Sequence, residues 1–482
     1  MTTERMESLR YAVRWRVLAK HLGMLAVVLA VLTAVPLGAA LLFADLQAAV
    51  RLAVVLAAML VLGIPLARLA APERLQMTEA LALVVLAFLL GSLLMSVPLG
   101  AAGAHWLDGW FEAVSGITTT GLSTAASVED KSASFLFTRA WMQWYGGLGI
   151  VVLSVALFLR NGVAGRRLLD SEPTGDTLVS TTRAYARHIL VVYGGLTICA
   201  VLATWAVIGD AFTAVVHSLS AVSTGGFSSF DDSIAGLRSP AAAATLMVFA
   251  WIGAVSLPLF YRVWQQGPRA LLADPELRAL VIATAALSVL LWLWMPAANW
   301  FDPLLLGMSA QSTTGFSTAS VADLDDASKL AAIGSMLVGG SVGSTAGGVK
   351  LLRLLLLLRL LQLALARAAA PRHAVIEARL GERRVEDEDL ARAALLMLSF
   401  AVLLFLSWLA FVAYGYPPLD ALFEVVSASA TVGLSTGITR PELEPALKAL
   451  LCFDMLAGRV EIFALLVVLS PRTWFGKRAE SL

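Results

Sequence analysis

Four segments of the chain carry the same combination of serine, threonine and glycine. They align without gaps at 115–124, 220–229, 309–318 and 427–436, with the pattern Ser-x-x-x-Thr-x-Gly-[Leu/Phe]-Ser-[Ser/Thr]. Such a segment presents backbone carbonyls and hydroxyls, the oxygen ligands that replace the water shell of a monovalent cation in potassium filters. The central glycine adds no Cβ and permits the positive φ that turns a carbonyl toward a pore. The repetition therefore predicts a cation filter built from four loops.

The predicted ligands are the three residues that end at the central glycine of each copy. A filter for divalent cations would need a ring of carboxylates, and no copy has a carboxylate at this place. Small residues also let membrane helices pack closely, but that explanation suits one copy better than four equivalent ones. Potassium is the predicted substrate, and no cofactor is predicted. The filter residues are Thr119, Thr120, Gly121, Thr224, Gly225, Gly226, Thr313, Thr314, Gly315, Thr431, Val432 and Gly433.

The loops lie between segments that are apolar enough to cross a membrane. The 482 residues are 59% hydrophobic and 14% charged, and the mean hydropathy is +0.81. An ordinary soluble protein has about 25% charged residues. The predicted spans are 22–43, 48–70, 77–98, 135–159, 186–209, 240–263, 277–297, 330–366 (interrupted), 391–415 and 446–470. Four shorter apolar pieces are typical of re-entrant helices, near 107–117, 210–222, 302–312 and 418–430.

These elements predict an all-α polytopic membrane protein. An N-terminal hairpin of two spans precedes four span–pore-loop–span repeats in a pseudo-fourfold arrangement. The aspartates Asp108, Asp302 and Asp420 stand thirteen residues before the central glycine, where each is predicted to cap a short helix. The predicted units are the hairpin 1–72 and the pore repeats 73–165, 166–270, 271–370 and 371–482.

The distribution of charge predicts the orientation in the membrane. Arginine and lysine crowd the N-terminus and the loops 160–187, 262–278 and 350–392. By the positive-inside rule, both termini are predicted to be cytoplasmic, and the short pore pieces enter from the outside. The net charge of +1 offers no basic face for nucleic acid.

The interrupted span 330–366 contains the segment GGSVGSTAGGVK at 339–350. Each glycine in a helix costs about 1 kcal/mol relative to alanine, so five of them in twelve residues predict a break. The break could be a passive kink for close packing or a flexible loop that blocks the pathway below the filter. The candidate gate residues are Gly339, Gly340, Gly343, Gly347, Gly348, Lys350 and Arg459.

Arg459 stands in the middle of the predicted span 446–470. An arginine at mid-membrane costs about 2.5–3.5 kcal/mol on insertion scales, so its side chain should face protein or a water-filled cavity. A structural salt bridge is one interpretation, with Asp454 and Glu461 as possible partners. The other is that Arg459 faces the pore below the filter and restrains cations there. His217, in the second pore helix, is expected to be a packing residue.

Four further motifs resemble those of the Trk/Ktr/HKT superfamily of potassium transporters. They are RAWMQWYGGLGIVVL (139–153), HSLSAVSTGGFS (217–228), GGSVGSTAGGVK (339–350) and LAGRVEIFALLVVLSP (456–471). Within that superfamily the chain is similar to the bacterial TrkH-type membrane subunit, because two spans precede the first repeat. The resemblance favours the gate interpretation for both the glycine-rich loop and Arg459.

The resemblance implies potassium-selective uptake across the bacterial inner membrane. It also implies a homodimer that docks on a cytosolic ring of nucleotide-binding regulatory subunits of the TrkA type, in addition to contact with membrane lipid. The cluster of mixed charge at 372–389 is predicted to be the docking surface, because it follows the broken span directly. No nucleic-acid partner is predicted.

Two other classes of function were compared with a gated uptake pathway. A symporter coupled to protons or sodium normally has an acidic relay in mid-membrane, for which Asp454 and Glu461 are the candidates. A membrane enzyme is not favoured, because no nucleophile–base pair or metal-ligand cluster is apparent. The chain is therefore predicted not to be an enzyme, and coupled symport remains the alternative.

Overall fold

The computed structural model describes most of the chain from residue 12 to residue 475. Within this range it leaves out 73–74, 102, 104, 162–174, 296–298, 370–378, 381–382, 385–386 and 461. Only the backbone is described for 101, 153–161, 175–185, 367, 379–380, 383–384 and 387–388.

Helices make up nearly all of the regular structure in the described residues, which confirms the predicted all-α fold. A minute antiparallel hairpin joins β1 (Arg379–Leu380) to β2 (Arg383–Arg384). In chain order the helices are α1 (Trp15–Leu42), α2 (Leu46–Ala67), α3 (Met77–Met95), α4 (Trp106–Ile117), α5 (Ala133–Asn161), α6 (Gly175–Ile208), α7 (Ala211–Val222), α8 (Pro240–Gly253), α9 (Leu257–Gln266), α10 (Arg269–Ala273), α11 (Pro275–Trp294), α12 (Phe301–Ser312), α13 (Asp326–Val338), α14 (Leu351–Ala369), α15 (Asp387–Ala413), α16 (Pro418–Ser429), α17 (Pro445–Arg459), α18 (Ile462–Leu469) and α19 (Pro471–Trp474).

The long helices are those of a multi-pass membrane protein, as predicted. Among the described residues, six helices are long and apolar enough to cross a membrane, namely α1, α2, α3, α6, α11 and α15. The bent pair α8 and α9 makes a seventh if it is counted as one span. The predicted break in 330–366 is present, because α13 ends at Val338 and α14 begins at Leu351.

Two predicted spans differ from the structure because each is broken. Within 240–263, α8 and α9 meet at an angle of 83°. Pro258 lies in the first turn of α9. A backbone N–H at this place would have no partner within the helix, so proline costs no hydrogen bond there. Within 446–470, α17 ends at Arg459. A Cβ on Gly458 would collide with the carbonyl of Ser429, so the end of α17 lies directly on the pore helix α16.

The N-terminal hairpin is formed by α1 and α2, which pack along each other. Asp45 caps α2 by accepting the backbone N–H of Ala48 at 3.0 Å. That hydrogen bond holds the pKa of Asp45 below its ordinary value. Leu52, Val55 and Met59 form the buried stripe of α2, while its other faces keep apolar residues exposed, as a lipid-facing helix does.

The four short helices are held between longer ones in a cyclic order. Each short helix packs against the longer helix that comes after the short helix of the preceding repeat, and the first packs against the helix after the last. The pairs are α4 with α17, α7 with α5, α12 with α8, and α16 with α13. Phe111 in α4 and Phe423 in α16 are fully buried at equivalent places, ten residues before the central glycine. This packing brings the ends of the four short helices together near the middle of the bundle.

Candidate ion pathway

All four short helices end in the same turn. In each, the threonine two residues before the central glycine is left-handed, with φ between 52° and 55°. The amide of the following residue returns to the carbonyl of the first serine of the pattern at 2.8–3.0 Å. Together these features make a Schellman turn. Positive φ is an uncommon, strained conformation for a β-branched residue, and here it occurs four times. The threonines are Thr119, Thr224, Thr313 and Thr431.

The central glycines form a closed ring. All four have positive φ, between 74° and 96°. A Cβ added to any of them would collide with the carbonyl oxygen of the residue that precedes the next glycine in the ring. The colliding pairs are Gly121 with Gly225, Gly226 with Thr314, Gly315 with Val432, and Gly433 with Thr120.

These contacts run from the first copy to the second, third and fourth copies, and from the fourth back to the first. Glycine is needed at each place because both the backbone angle and the close approach of a carbonyl exclude a side chain. The structure therefore brings all twelve predicted filter residues together at this ring, where each glycine lies against a backbone carbonyl of the next copy.

In the first and fourth copies, a buried glutamate holds the chain that follows the glycine. Glu112 accepts the Ser123 hydroxyl at 2.5 Å and the Thr124 amide at 3.0 Å. Glu424 accepts the Ser435 hydroxyl at 2.5 Å and the amide of the next residue at 2.8 Å. Both glutamates lie nine residues before the central glycine and are fully buried. The sequence analysis did not identify these supporting residues, although a glutamate recurs nine residues before the glycine in two copies.

The second copy uses a histidine at the same place. His217 was expected to be a packing residue, but its Nε2 lies 3.0 Å from the Ser228 hydroxyl, two residues after the glycine. The third copy has Leu306 there, which has no polar group. Its loop is held instead by Asp302, which accepts the Thr318 hydroxyl at 2.8 Å. The four loops are thus equivalent in backbone but not in the side chains behind them.

Helix α5 supports the second loop from the first repeat. Gln143 brackets Gly226, because its amide group donates to the carbonyl of Gly225 and accepts the amide of Phe227 at 3.1 Å. Arg139, one turn earlier, donates to Glu112 at 2.8 Å and stacks 3.8 Å from the Phe227 ring. A buried ion pair and an amide therefore join the first two copies behind the ring.

The predicted gate loop, 339–350, lies directly against the turns that carry the ring. The Thr224 hydroxyl lies 3.3 Å from the Thr345 hydroxyl. The amide of Gly347 donates to the Thr313 hydroxyl at 2.6 Å. A Cβ on Gly347 would collide with the carbonyl of Ala430 and the hydroxyl of Thr431. The loop thus touches the left-handed threonines of the second, third and fourth copies.

Long-range hydrogen bonds hold this loop in place. The Thr345 hydroxyl shares its one hydrogen between the carbonyls of Gly253 at 2.9 Å and Val222 at 3.1 Å. The amide of Leu257, at the bend between α8 and α9, donates to Gly343 at 3.1 Å. The bend that the sequence did not predict therefore supplies the backbone partners of the loop.

Arg459 reaches the same loop from the end of α17. Its Nη1 donates to the carbonyl of Thr345 at 2.8 Å, and the side chain is 3% exposed. Its Nε and Nη2 have no hydrogen-bond partner among the described residues. Of the possible salt-bridge partners, Asp454 instead accepts the Ser407 hydroxyl at 2.8 Å, and Glu461 lies outside the described residues. Lys350 donates to the carbonyl of Ala346 and lines a cavity together with Arg459.

The aspartates predicted as helix caps are the second or third residues of their helices. Asp108 does cap α4, because it accepts the backbone N–H of His105 at 3.2 Å in a capping box. Asp108 and Asp420 are also bound by lysines from neighbouring repeats. Lys448 donates to Asp108 at 2.6 Å, and Lys329 donates to Asp420 at 2.9 Å. In the second copy the cap is Asp210, whose pKa is held below its ordinary value by the Thr213 hydroxyl and amide.

The comparisons with known proteins agree with this geometry. The sequence profile of the TrkH family, described as cation transport proteins, matches residues 51–474. The chain belongs to the TrkH family. It is 31% identical over 383 residues to the "Trk system potassium uptake protein TrkH" of Escherichia coli K12, covering 76% of this chain and 79% of that protein. It is 30% identical over 486 residues to the "Trk system potassium uptake protein TrkI" of Halomonas elongata, covering 96% and 97% of the two chains.

A solved structure extends this TrkH relationship to the fold. The crystal structure of the potassium transporter TrkH from Vibrio parahaemolyticus superposes with a TM-score of 0.85 and 27% sequence identity. The match covers 96% of this chain and all of that one. The family is one of membrane cation transporters and not of enzymes. In the described part of the chain, no group of three or more His, Cys, Asp or Glu side chains could hold a metal ion.

Proposed function

We propose that this TrkH-family chain mediates potassium-selective uptake across the bacterial inner membrane through the four-loop ring. The observation that carries the proposal is the closed cycle of contacts between each central glycine and the carbonyl before the next glycine. Carbonyl oxygens converging at membrane depth need an ion or water, because unsatisfied polar groups are costly there. The ring offers no carboxylate ligand, which favours a monovalent over a divalent cation. Two relatives carry potassium uptake in their names, and this supports the choice of potassium.

The proposal includes a gate formed by the loop 339–350 and Arg459. The loop lies in contact with three of the four threonines at the inner side of the ring, so an ion leaving the ring would meet it. Arg459 places a positive charge against the same loop, which opposes the passage of cations. In this arrangement the pathway is closed, and a displacement of the loop opens it.

Coupled symport with protons or sodium remains the alternative. Of its two candidate relay residues, Glu461 lies outside the described residues. Asp454 is fully buried, and one of its carboxylate oxygens has no hydrogen-bond partner in the described part of the chain. The other oxygen accepts the Ser407 hydroxyl at 2.8 Å, and among the described residues no hydrogen bond joins Asp454 to the ring or the loop. This separation favours an uncoupled pathway.

We further propose that both termini are cytoplasmic, that the chain forms a homodimer, and that a TrkA-type ring of nucleotide-binding subunits controls the loop. The positive-inside distribution of charge supports the orientation. The proposed docking surface, 372–389, lies mostly outside the described residues, apart from the backbones of β1, β2 and the start of α15. Its proximity in sequence to the loop is what supports it.

Reversal potentials of the purified protein in proteoliposomes test the proposed function. A potential that follows the potassium gradient, and does not shift under imposed pH or sodium gradients, is the expected result. A shift with the proton or sodium gradient would establish coupled symport instead. Equal responses to potassium and sodium gradients would contradict a selective filter.

A further inference from the structure

The fourth loop is held by more hydrogen bonds to one side chain than any other loop described above. Glu424 accepts the Ser435 hydroxyl, the Thr436 amide at 2.8 Å, the Thr436 hydroxyl at 3.2 Å and the Thr439 hydroxyl at 2.8 Å. Ser435 in turn accepts the Gly437 amide at 3.0 Å, which leaves its own hydroxyl hydrogen for Glu424. Glu424 is therefore the common acceptor for the chain that leaves the ring.

The same face of α16 also holds the chain that enters the ring. The Ser427 hydroxyl accepts the amide of Gly433 at 3.1 Å. Residues three apart lie on one face of a helix, so Ser427 and Glu424 act from the same side. Gly433 is thus fixed by its own amide and by the residues two and three positions after it.

Formation of the turn does not by itself explain why a glutamate stands at position 424. The third loop makes the same left-handed turn and has the same glycine conformation with Leu306 at this place. The turn therefore does not require an acid. Burying a carboxylate costs free energy unless it is paired and hydrogen-bonded. Glu112 forms an ion pair with Arg139 at 2.8 Å. Among the described residues no lysine or arginine pairs with Glu424, whose partners are hydroxyl and amide groups such as the Thr439 hydroxyl.

We propose that Glu424 is a positioning residue for ion selectivity. By binding the chain from Ser435 to Thr439, its carboxylate fixes the carbonyls of Val432 and Gly433 relative to the axis. The carbonyl of Val432 is also the one against which Gly315 lies, so a shift of the fourth loop would spread to the third. Oxygens that can move inward accommodate a smaller cation, and discrimination against sodium is then lost. The inference rests on the proposed function, since it assumes that the ring is the filter.

The test compares potassium-to-sodium permeability ratios of reconstituted variants. Glu424→Ala removes all four acceptor bonds and should lower the ratio by about tenfold or more. Glu424→Gln keeps the shape and an oxygen for Ser435 and Thr436, and the Thr439 hydroxyl can accept from the new amide, so its ratio should stay near that of the parent. Glu442→Ala is the matched control, because Glu442 is an exposed glutamate of the same loop.

Two further variants keep the test decisive if Glu424→Ala does not fold. Ser435→Ala and Thr439→Val each remove one partner of Glu424 and should each lower the ratio by a smaller factor. An unchanged ratio in Glu424→Ala, or in both partner variants, would overturn the inference. An equal loss in Glu424→Ala and Glu424→Gln would also overturn it, because the charge and not the hydrogen bonds would then be responsible. A parent protein without potassium selectivity would instead refute the proposed function.

Discussion

The ring of glycines and the loop 339–350 touch each other, yet they differ in how far apart in the sequence their hydrogen-bond partners lie. Most of the side chains that hold the loops of the ring lie on the pore helix just before them: Ser427 is six residues from its partner and Glu424 twelve. Gln143, on α5, holds the second loop from 82 residues away. Thr345 is 92 residues from Gly253, and Arg459 is 114 residues from Thr345.

This difference indicates how one region can move while the other stays fixed. Each filter loop keeps its local bonds as long as its own pore helix is folded. The lower loop depends on bonds to several other helices, and those bonds can break without unfolding any of them. Changes in the ring should therefore alter ion selectivity, whereas changes in the loop should alter basal flux.

The largest expected effect is that of a side chain in the ring. Gly121→Ser should lower potassium flux by tenfold or more and relax discrimination against sodium, because the new Cβ collides with the carbonyl of Gly225 and φ is positive. Rubidium uptake and ion-competition assays in proteoliposomes measure both. Gly149→Ser is the control, since a Cβ there meets nothing within 4 Å. An unchanged ion preference in Gly121→Ser would remove this residue from the filter.

The next largest effect concerns the closed state of the lower loop. Deletion of Gly343 to Gly348, or Arg459→Ala, should raise basal potassium flux with unchanged selectivity. The arginine change alone removes a charge-assisted hydrogen bond of about 1.5–3 kcal/mol, which corresponds to roughly tenfold or more in the open fraction. Arg472→Ala, at an exposed arginine beyond α18, is the control. If both variants fold and conduct no more than the parent, the loop is not the barrier.

A smaller effect is expected from a single hydroxyl in the loop. Thr345→Val keeps the shape of the side chain but removes the bonds to Gly253 and Val222. Basal flux should rise by about fivefold, since a lost neutral hydrogen bond is worth roughly 1 kcal/mol. Ser341→Ala should have no such effect, because the Ser341 hydroxyl has no hydrogen-bond partner among the residues that the structure describes. Equal flux in the two variants would show that the bonds of Thr345 do not hold the gate closed.

The smallest effect on basal flux is predicted for the proposed docking surface. Charge reversal at Arg383 and Arg384 should abolish co-purification with a TrkA-type regulator and nucleotide-dependent flux. Basal flux and selectivity should stay at the parental level, because neither region of the pathway is changed. Normal regulation in this double variant would exclude the segment 372–389 as the docking surface.

The comparison of the two regions also explains which predictions succeeded. The Thr-x-Gly pattern located the left-handed threonines and the four glycines, because a Schellman turn is specified by residues close in sequence. The glycine-rich break between α13 and α14 was visible for the same reason. The aspartates were less well predicted, since their partners Lys329 and Lys448 belong to other repeats.

The sequence by itself determined most of the membrane-spanning helices, the positions of the four loops and the family, since apolar length and local turn chemistry depend on contiguous residues. Only the tertiary structure decided that the four glycines close into a ring, that Arg459 binds Thr345 instead of Asp454, and that the bend after Gly253 supports the loop. The physical reason is that each of these contacts joins residues on different helices. Their meeting depends on how the helices pack around the axis, which no local pattern specifies.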